Sequence, residues 1–85
     1  MKIHELKTWP EYFELILSGK KTFELRKNDR NFDVGDRLDL MEYDLEKGYT
    51  GKHLHRWITH ILKENSFLDL KDYVILSFTK EEPKT

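Results

Sequence analysis

Three charged residues, Lys21, Glu24 and Arg26, stand close enough together to act jointly, within the run Gly19-Lys20-Lys21-Thr22-Phe23-Glu24-Leu25-Arg26. Alternation along a strand sends successive side chains to opposite faces, so Thr22, Glu24 and Arg26 are expected on one face, and Phe23 and Leu25 on the other as core. With Lys20 or Lys21 at the strand entrance, the polar face offers an ammonium, a carboxylate and a guanidinium to one small polar ligand. Arg26 presents a planar fork to a phosphate or a base acceptor, Glu24 accepts from an exocyclic amine and orients Arg26, and Lys21 adds a point charge. In a pocket dry enough to depress the pKa of Lys21, its amine acts as nucleophile or base beside Glu24, which is the enzymatic version. The plain alternative is a surface salt-bridge ladder, worth only about 0–1 kcal/mol when exposed.

Other residues extend this candidate site. Trp9 or Tyr43 can stack a base, a contact of about 1–3 kcal/mol that needs no hydrogen-bond code, although Trp9, Tyr12 and Phe13 equally suit the core beneath a helix. Asn28-Asp29-Arg30 forms either a rim of the cleft, through Asn28 and Arg30, or an ordinary turn held by its own side chains. The formal net charge of -1 argues against wholesale binding of a long phosphate backbone, which a strongly basic domain serves. Lys20, Lys21, Arg26, Lys27 and Arg30 nevertheless cluster, and a compact basic patch on a near-neutral body suits a short or single nucleotide. His53 and His55 share a strand face, with His4 and His60 as further candidates, but no glutamate or cysteine follows at a metal-site offset. The histidines therefore read as solvated or hydrogen-bonded, and neither a metal nor another cofactor is expected. Lys52, His53, His55 and Arg56 alternatively extend a basic surface toward a longer RNA. No Gly-rich phosphate loop, nucleophile elbow or metalloprotease helix is present.

These residues need elements to position them. Residues 3–7 alternate as a short strand. Thr8-Trp9-Pro10-Glu11 fits a capping box, with Pro10 tolerated in the first turn, and opens a helix over 10–18 whose stripe holds Trp9, Phe13, Ile16 and Leu17, widened by Tyr12 and Leu15. Gly19 suits the left-handed residue that ends a helix. A strand over 21–27 precedes a turn-rich loop, 28–36, anchored by Phe32 and Val34. Leu38 and Leu40 mark a strand reaching Tyr43, and 44–51 form a turn. Over 52–63, Leu54, Ile58 and Leu62 share one parity and Trp57 and Ile61 the other, which a bend or bulge reconciles. Residues 65–71 connect, with one short helical turn, to a strand over 73–79 whose inward residues are Val74, Leu76 and Phe78. Five strands with one helix between the first two give a mainly β, α+β fold, a small closed or nearly closed barrel plugged by the helix.

A chain of 85 residues has room for one domain, residues 1–79, followed by a polar tail over 80–85; a core of this size buries roughly 60–65% of the unfolded surface. Hydrophobic residues at 38% and charged residues at 36% give a folded domain with a very polar surface. Cysteine is absent, so there is no disulfide framework and a reducing cytoplasm is compatible. No run of about 18 apolar residues exists and the N-terminus lacks a signal-peptide core; the expectation is a cytoplasmic monomer without a membrane partner.

His4-x-Leu6-Lys7-x-Trp9-Pro10-x-Tyr12-Phe13, then Gly19-x-Lys21-x-Phe23-Glu24-x-Arg26, Asn28-Asp29-Arg30 and Val34-Gly35-Asp36 together resemble an ASCH domain of the PUA-like superfamily, nearest a branch of small bacterial and phage domains of unknown function. The resemblance spans about residues 3–79. It implies a PUA-like β-barrel with a cleft beside the first helix, lined by the Lys-x-x-Glu-x-Arg strand, and a role in binding RNA, nucleosides or nucleotides. A related ASCH group includes small amidohydrolases that deacylate acetylated cytidine. They use a lysine corresponding to Lys21, a threonine at the position of Glu24, and a glutamate in a longer helical segment before the last strand. Here Glu24 replaces that threonine and the connection before Tyr73 is short, so only Lys21 carries over. Deacylation of acylated nucleosides therefore stands as the alternative to binding. A third reading, a protein-interaction module, requires an exposed apolar patch in place of a pocket of nucleoside size.

Overall fold

Strict alternation in three strands decides which way the sheet faces. The computed structural model describes residues 1–65 and 68–84. It comprises β1 (Ile3–Thr8), α1 (Pro10–Leu17), β2 (Phe23–Lys27), β3 (Arg37–Asp44), β4 (Gly48–Leu62) and β5 (Tyr73–Thr79). In β1 the residues His4, Leu6 and Thr8 point inward, in β3 Leu38, Leu40 and Glu42, and in β5 Val74, Leu76 and Phe78. The strands join in the order β1-β3-β4-β5-β2, antiparallel apart from the parallel β1–β3 pair. This sheet curls into a half-barrel with the short helix between the first two strands. Ile16 from α1 joins Leu6, Leu38, Leu40, Ile58, Val74, Leu76 and Phe78 in the core.

The long β4 strand serves both of its hydrophobic sets through a register shift between Ile58 and His60 against β5. Ahead of the shift Leu54 and Ile58 face the core; beyond it Ile61 does. An added residue bends one strand and re-aims its faces. Trp57 stays on the outer face, opposite Arg37 and Thr79. The β3–β4 turn is tighter than expected, because β4 already begins at Gly48. A turn in which the Asp44 Oδ1 accepts from the amides of Glu46 and Lys47 lets the strands pair from there. The expected helical turn over 65–71 includes residues 66 and 67, which lie outside the described residues; Asn65 and Leu68 form an isolated antiparallel bridge.

Three local expectations need correction. The capping box does not form: Trp9 is the N-cap without a side-chain bond, because Thr8 remains in β1 as an inward residue and its hydroxyl donates to the Leu6 carbonyl at 3.4 Å. The helix stripe is narrower, since only Phe13 and Ile16 are buried. The 28–36 loop is anchored by Phe32 while Val34 is 61% exposed. The helix does end as expected, at Gly19 with φ +83°, where the amide of Lys21 donates to the Leu15 carbonyl at 3.0 Å.

The loop's second anchor is Asp36. Its carboxylate accepts from the Lys2 amide at 3.0 Å, the His4 Nε2 at 2.9 Å and the Asp33 amide at 3.0 Å, joining the N-terminus, β1 and the loop. Burial alone pushes this carboxyl up, but the bonds from His4, Lys2 and Asp33 and the Lys2 ammonium outweigh it and hold it below its ordinary value. A folded pKa below the unfolded value of about 3.9 stabilises the fold fully above that value, and the gain is lost as pH falls through the folded pKa. Asp36→Asn, which turns an amide NH2 toward donors, is expected to cost about 1–3 kcal/mol at pH 7 and to flatten the fall in stability between neutral and acid pH. Urea denaturation at a series of pH values checks this; an unchanged acid limb contradicts it.

Candidate functional site

Cross-strand neighbours share a face, and that rule reverses the expected orientation of β2. Glu24 pairs with Leu76 and Arg26 with Val74, both inward on β5. Glu24 and Arg26 therefore turn toward the interior, while Phe23 and Leu25 are 47% and 54% exposed. The assignment of Phe23 and Leu25 to the core is thus corrected: the sequence alternation was right, but its parity is set by the partner strand. The expected sharing of one face by Glu24 and Arg26 holds.

A buried carboxylate must be compensated, and Glu24 is. Its side chain is 8% exposed, with the Lys21 ammonium on Oε1 and the Arg26 Nε at 3.2 Å from Oε2. Neither cation is spent on Glu24 alone. The Lys21 Nζ also donates to the Phe23 carbonyl at 2.7 Å, and the Arg26 Nη2 donates to the Lys7 carbonyl. Arg30 repeats the pattern, its Nη1 donating to the Glu5 carbonyl at 3.0 Å. Glu5 and Lys7 belong to β1 and Phe23 to β2, the two strands at opposite ends of the sheet. Side chains thus span the seam that backbone pairing leaves open.

A pocket of about 340 Å³ opens on this seam. Lys7 and Thr8 line it from β1, Trp9 and Tyr12 from the start of the helix, and Lys21 with residues 23–26 from β2 and its entrance. The volume lies near the lower end of the range for small-molecule sites, about 300–1,000 Å³. Three cations, Lys7, Lys21 and Arg26, face one carboxylate, Glu24, so the lining carries an excess of positive charge. The Lys21 ammonium also lies 5.3 Å from the Tyr12 ring centre and 4.9 Å from that of Phe23.

Of the candidate residues, Lys21, Glu24, Arg26 and Trp9 come together in this pocket. Tyr43 lies just beyond it, its ring 6.2 Å from that of Trp9. Arg30 is on the same seam but outside the lining, and Lys20 is exposed and outside it too. Asn28 is an exposed turn residue whose amide is tied to the Asp72 carbonyl, away from the pocket. Lys7, Thr8, Tyr12, Phe23 and Leu25 complete the lining; none is a candidate by residue pattern, and the one signal for them is nearness in sequence to Trp9, Glu24 and Arg26.

The histidines do not converge. His53 and His55 are neighbours on the outer face, rings 5.9 Å apart, with His55 Nε2 3.5 Å from Asp39 Oδ1. His4 is buried at Asp36. Among the described residues no group of three or more His, Cys, Asp or Glu side chains is arranged to hold a metal ion. Arg56, expected on a basic surface, turns inward: its Nη2 donates to the Ile16 carbonyl at 3.2 Å near the C-terminal end of the helix, and desolvation lowers its pKa. No helix among the described residues is long and apolar enough to cross a membrane.

Residues 3–78 match the family described as domain of unknown function (DUF3850). An uncharacterized 12.9 kDa protein in the GpA 3' region of Escherichia phage P2 is 43% identical over 75 residues, which are 88% of this chain and 66% of that relative. The chain therefore spans just under two thirds of the relative's length.

The seam's electrostatics make a direct prediction. Glu24→Ala leaves the Lys21 and Arg26 cations facing each other without their counter-ion and is expected to cost about 1–3 kcal/mol. Because the new cost is like-charge repulsion, raising the salt concentration should restore part of it. Urea denaturation at low and high salt reads both effects; a variant as stable as the parent at low salt contradicts the arrangement.

Proposed function

We propose, from the premise that this chain belongs to the family described as domain of unknown function (DUF3850), that it is an ASCH-type, PUA-like domain binding RNA, a nucleoside or a nucleotide in the seam pocket. The observation that carries the reading is the buried Glu24 carboxylate held between Lys21 and Arg26 in the wall of a pocket flanked by Trp9 and Tyr12. A nucleotide unit has the complementary parts. Its phosphate or base carbonyl meets the guanidinium fork of Arg26 and the point charge of Lys21, and an exocyclic amine meets Glu24. Its base has a π face for Trp9. The surplus positive charge of the lining favours an anionic ligand over a neutral one.

Deacylation of an acylated nucleoside is the weaker reading. The Lys21 ammonium donates to both the Glu24 carboxylate and the Phe23 carbonyl, and an amine nucleophile would have to give up those bonds before attacking. As a hydrogen-bond donor Lys21 needs no such rearrangement. A protein-docking reading draws on the outward Phe23 and Leu25, but it makes no use of the pocket that opens beside them.

Amide chemical shifts followed during titration with nucleosides, nucleoside monophosphates and short single-stranded RNAs test the proposal. Movement is expected at Trp9, Lys21, Glu24 and Arg26. Lys21→Ala and Arg26→Ala should each weaken binding by about tenfold or more, as the loss of a charge-assisted hydrogen bond implies, with folding verified by thermal denaturation. Perturbations confined to regions remote from the seam reject it. Hydrolysis of acetylated cytidine that disappears in Lys21→Ala would instead favour the enzymatic reading.

A further inference from the structure

Lys7 differs from the other two cations of the pocket. No carboxylate of the described residues stands within ion-pair distance of it. Its ammonium instead lies 4.4 Å from the centre of the Tyr43 ring and 5.8 Å from that of Tyr49. Tyr43 and Tyr49 are directly paired across β3 and β4, with ring centres 5.0 Å apart and an edge-to-face angle of 79°. Trp9, in the pocket wall, stands 6.2 Å from Tyr43. Three aromatic rings therefore step outward from the pocket, with an uncompensated cation over the middle one. Trp9 and Tyr49 are 43% and 54% exposed, so this shelf is open to solvent.

A single nucleotide filling a pocket of about 340 Å³ leaves the shelf uncovered. Resting on the pocket reading above, we infer that the ligand is a single-stranded nucleic acid: one base enters the pocket, the linking phosphate meets Lys7, and the neighbouring base stacks on the Tyr43–Tyr49 pair. Aromatic stacking beside a cation is how single strands are held without a sequence code. The shelf also has an end. Asp44 pairs with Gly48 one step beyond Tyr43–Tyr49, and there the strands end in a turn whose Glu46 and Lys47 amides donate to the Asp44 carboxylate. The footprint is accordingly two or three nucleotides, in keeping with a chain whose formal net charge is -1.

The test measures affinities for the 5'-monophosphates of the four common ribonucleosides and for the corresponding homo-oligonucleotides of two, three and six units, with a deoxyribose series to separate RNA from DNA. Affinity is expected to rise about tenfold from monomer to trimer, as one added base–aromatic contact implies, and to level off by the hexamer. Tyr49→Ala should remove that gain while leaving monophosphate binding unchanged. Lys7→Ala should reduce the slope of log affinity against log salt by about 0.7. Monophosphates that bind as tightly as trimers, or a length gain that survives Tyr49→Ala, overturn the shelf and leave the pocket reading standing. Failure of every probe to bind overturns both.

Discussion

An unclosed sheet has to satisfy the carbonyls along its two free edges, and here cationic side chains do it. Lys21 donates to Phe23 on β2, and Arg26 and Arg30 donate to Lys7 and Glu5 on β1. Buried or half-buried backbone acceptors left bare are costly, and charged side chains along an edge also deter pairing with another chain. Arginine suits the task because its fork can serve one acceptor with Nε and another with Nη2, which is how Arg26 reaches Glu24 and Lys7 at once. Glu24 follows as a consequence: two cations drawn to the edge of the interior require a counter-ion there, and the inward parity of β2 supplies it.

The candidate site is thus made of the same atoms that hold the two ends of the half-barrel together. Lys21 is fixed twice, by its amide on the helix end at Leu15 and by its ammonium on the first residue of β2. Trp9 is fixed as the residue between β1 and the helix. Preorganisation of this kind reduces the ordering cost of binding, because the cations already stand in place before a ligand arrives. It also means that their hydrogen bonds to the seam contribute to stability. Lys7 lies outside this bargain. Its carbonyl takes part in the seam while its ammonium does not, which leaves the ammonium to the aromatic shelf.

Much of the frame was legible from residue pattern. The alternation of β3 and β5, the bend in β4 needed by Ile58 and Ile61, the helix end at Gly19 and the shared face of Glu24 and Arg26 all follow from local periodicity and spacing. The differences at β2 and Thr8 share a cause, since each depends on a partner distant in sequence. The parity of Phe23-Glu24-Leu25-Arg26 is fixed by Leu76 and Val74 on β5, and no local rule places a glutamate inside and a phenylalanine outside. Thr8-x-x-Glu11 has the pattern of a helix cap, but pairing of β1 with β3 extends the strand through Thr8. The His4–Asp36 pair, 32 residues apart, and the place of Lys7 in the pocket likewise arise only once β1 and β3 lie side by side.

Arg26 is held in the seam between the Glu24 carboxylate and the Lys7 carbonyl, and nuclear magnetic resonance of its guanidinium group reads that restraint. A resolved, slowly exchanging Nε–H signal with through-space contacts to Glu24 and Lys7 is expected. A rapidly exchanging, averaged signal like that of a solvated arginine would contradict it.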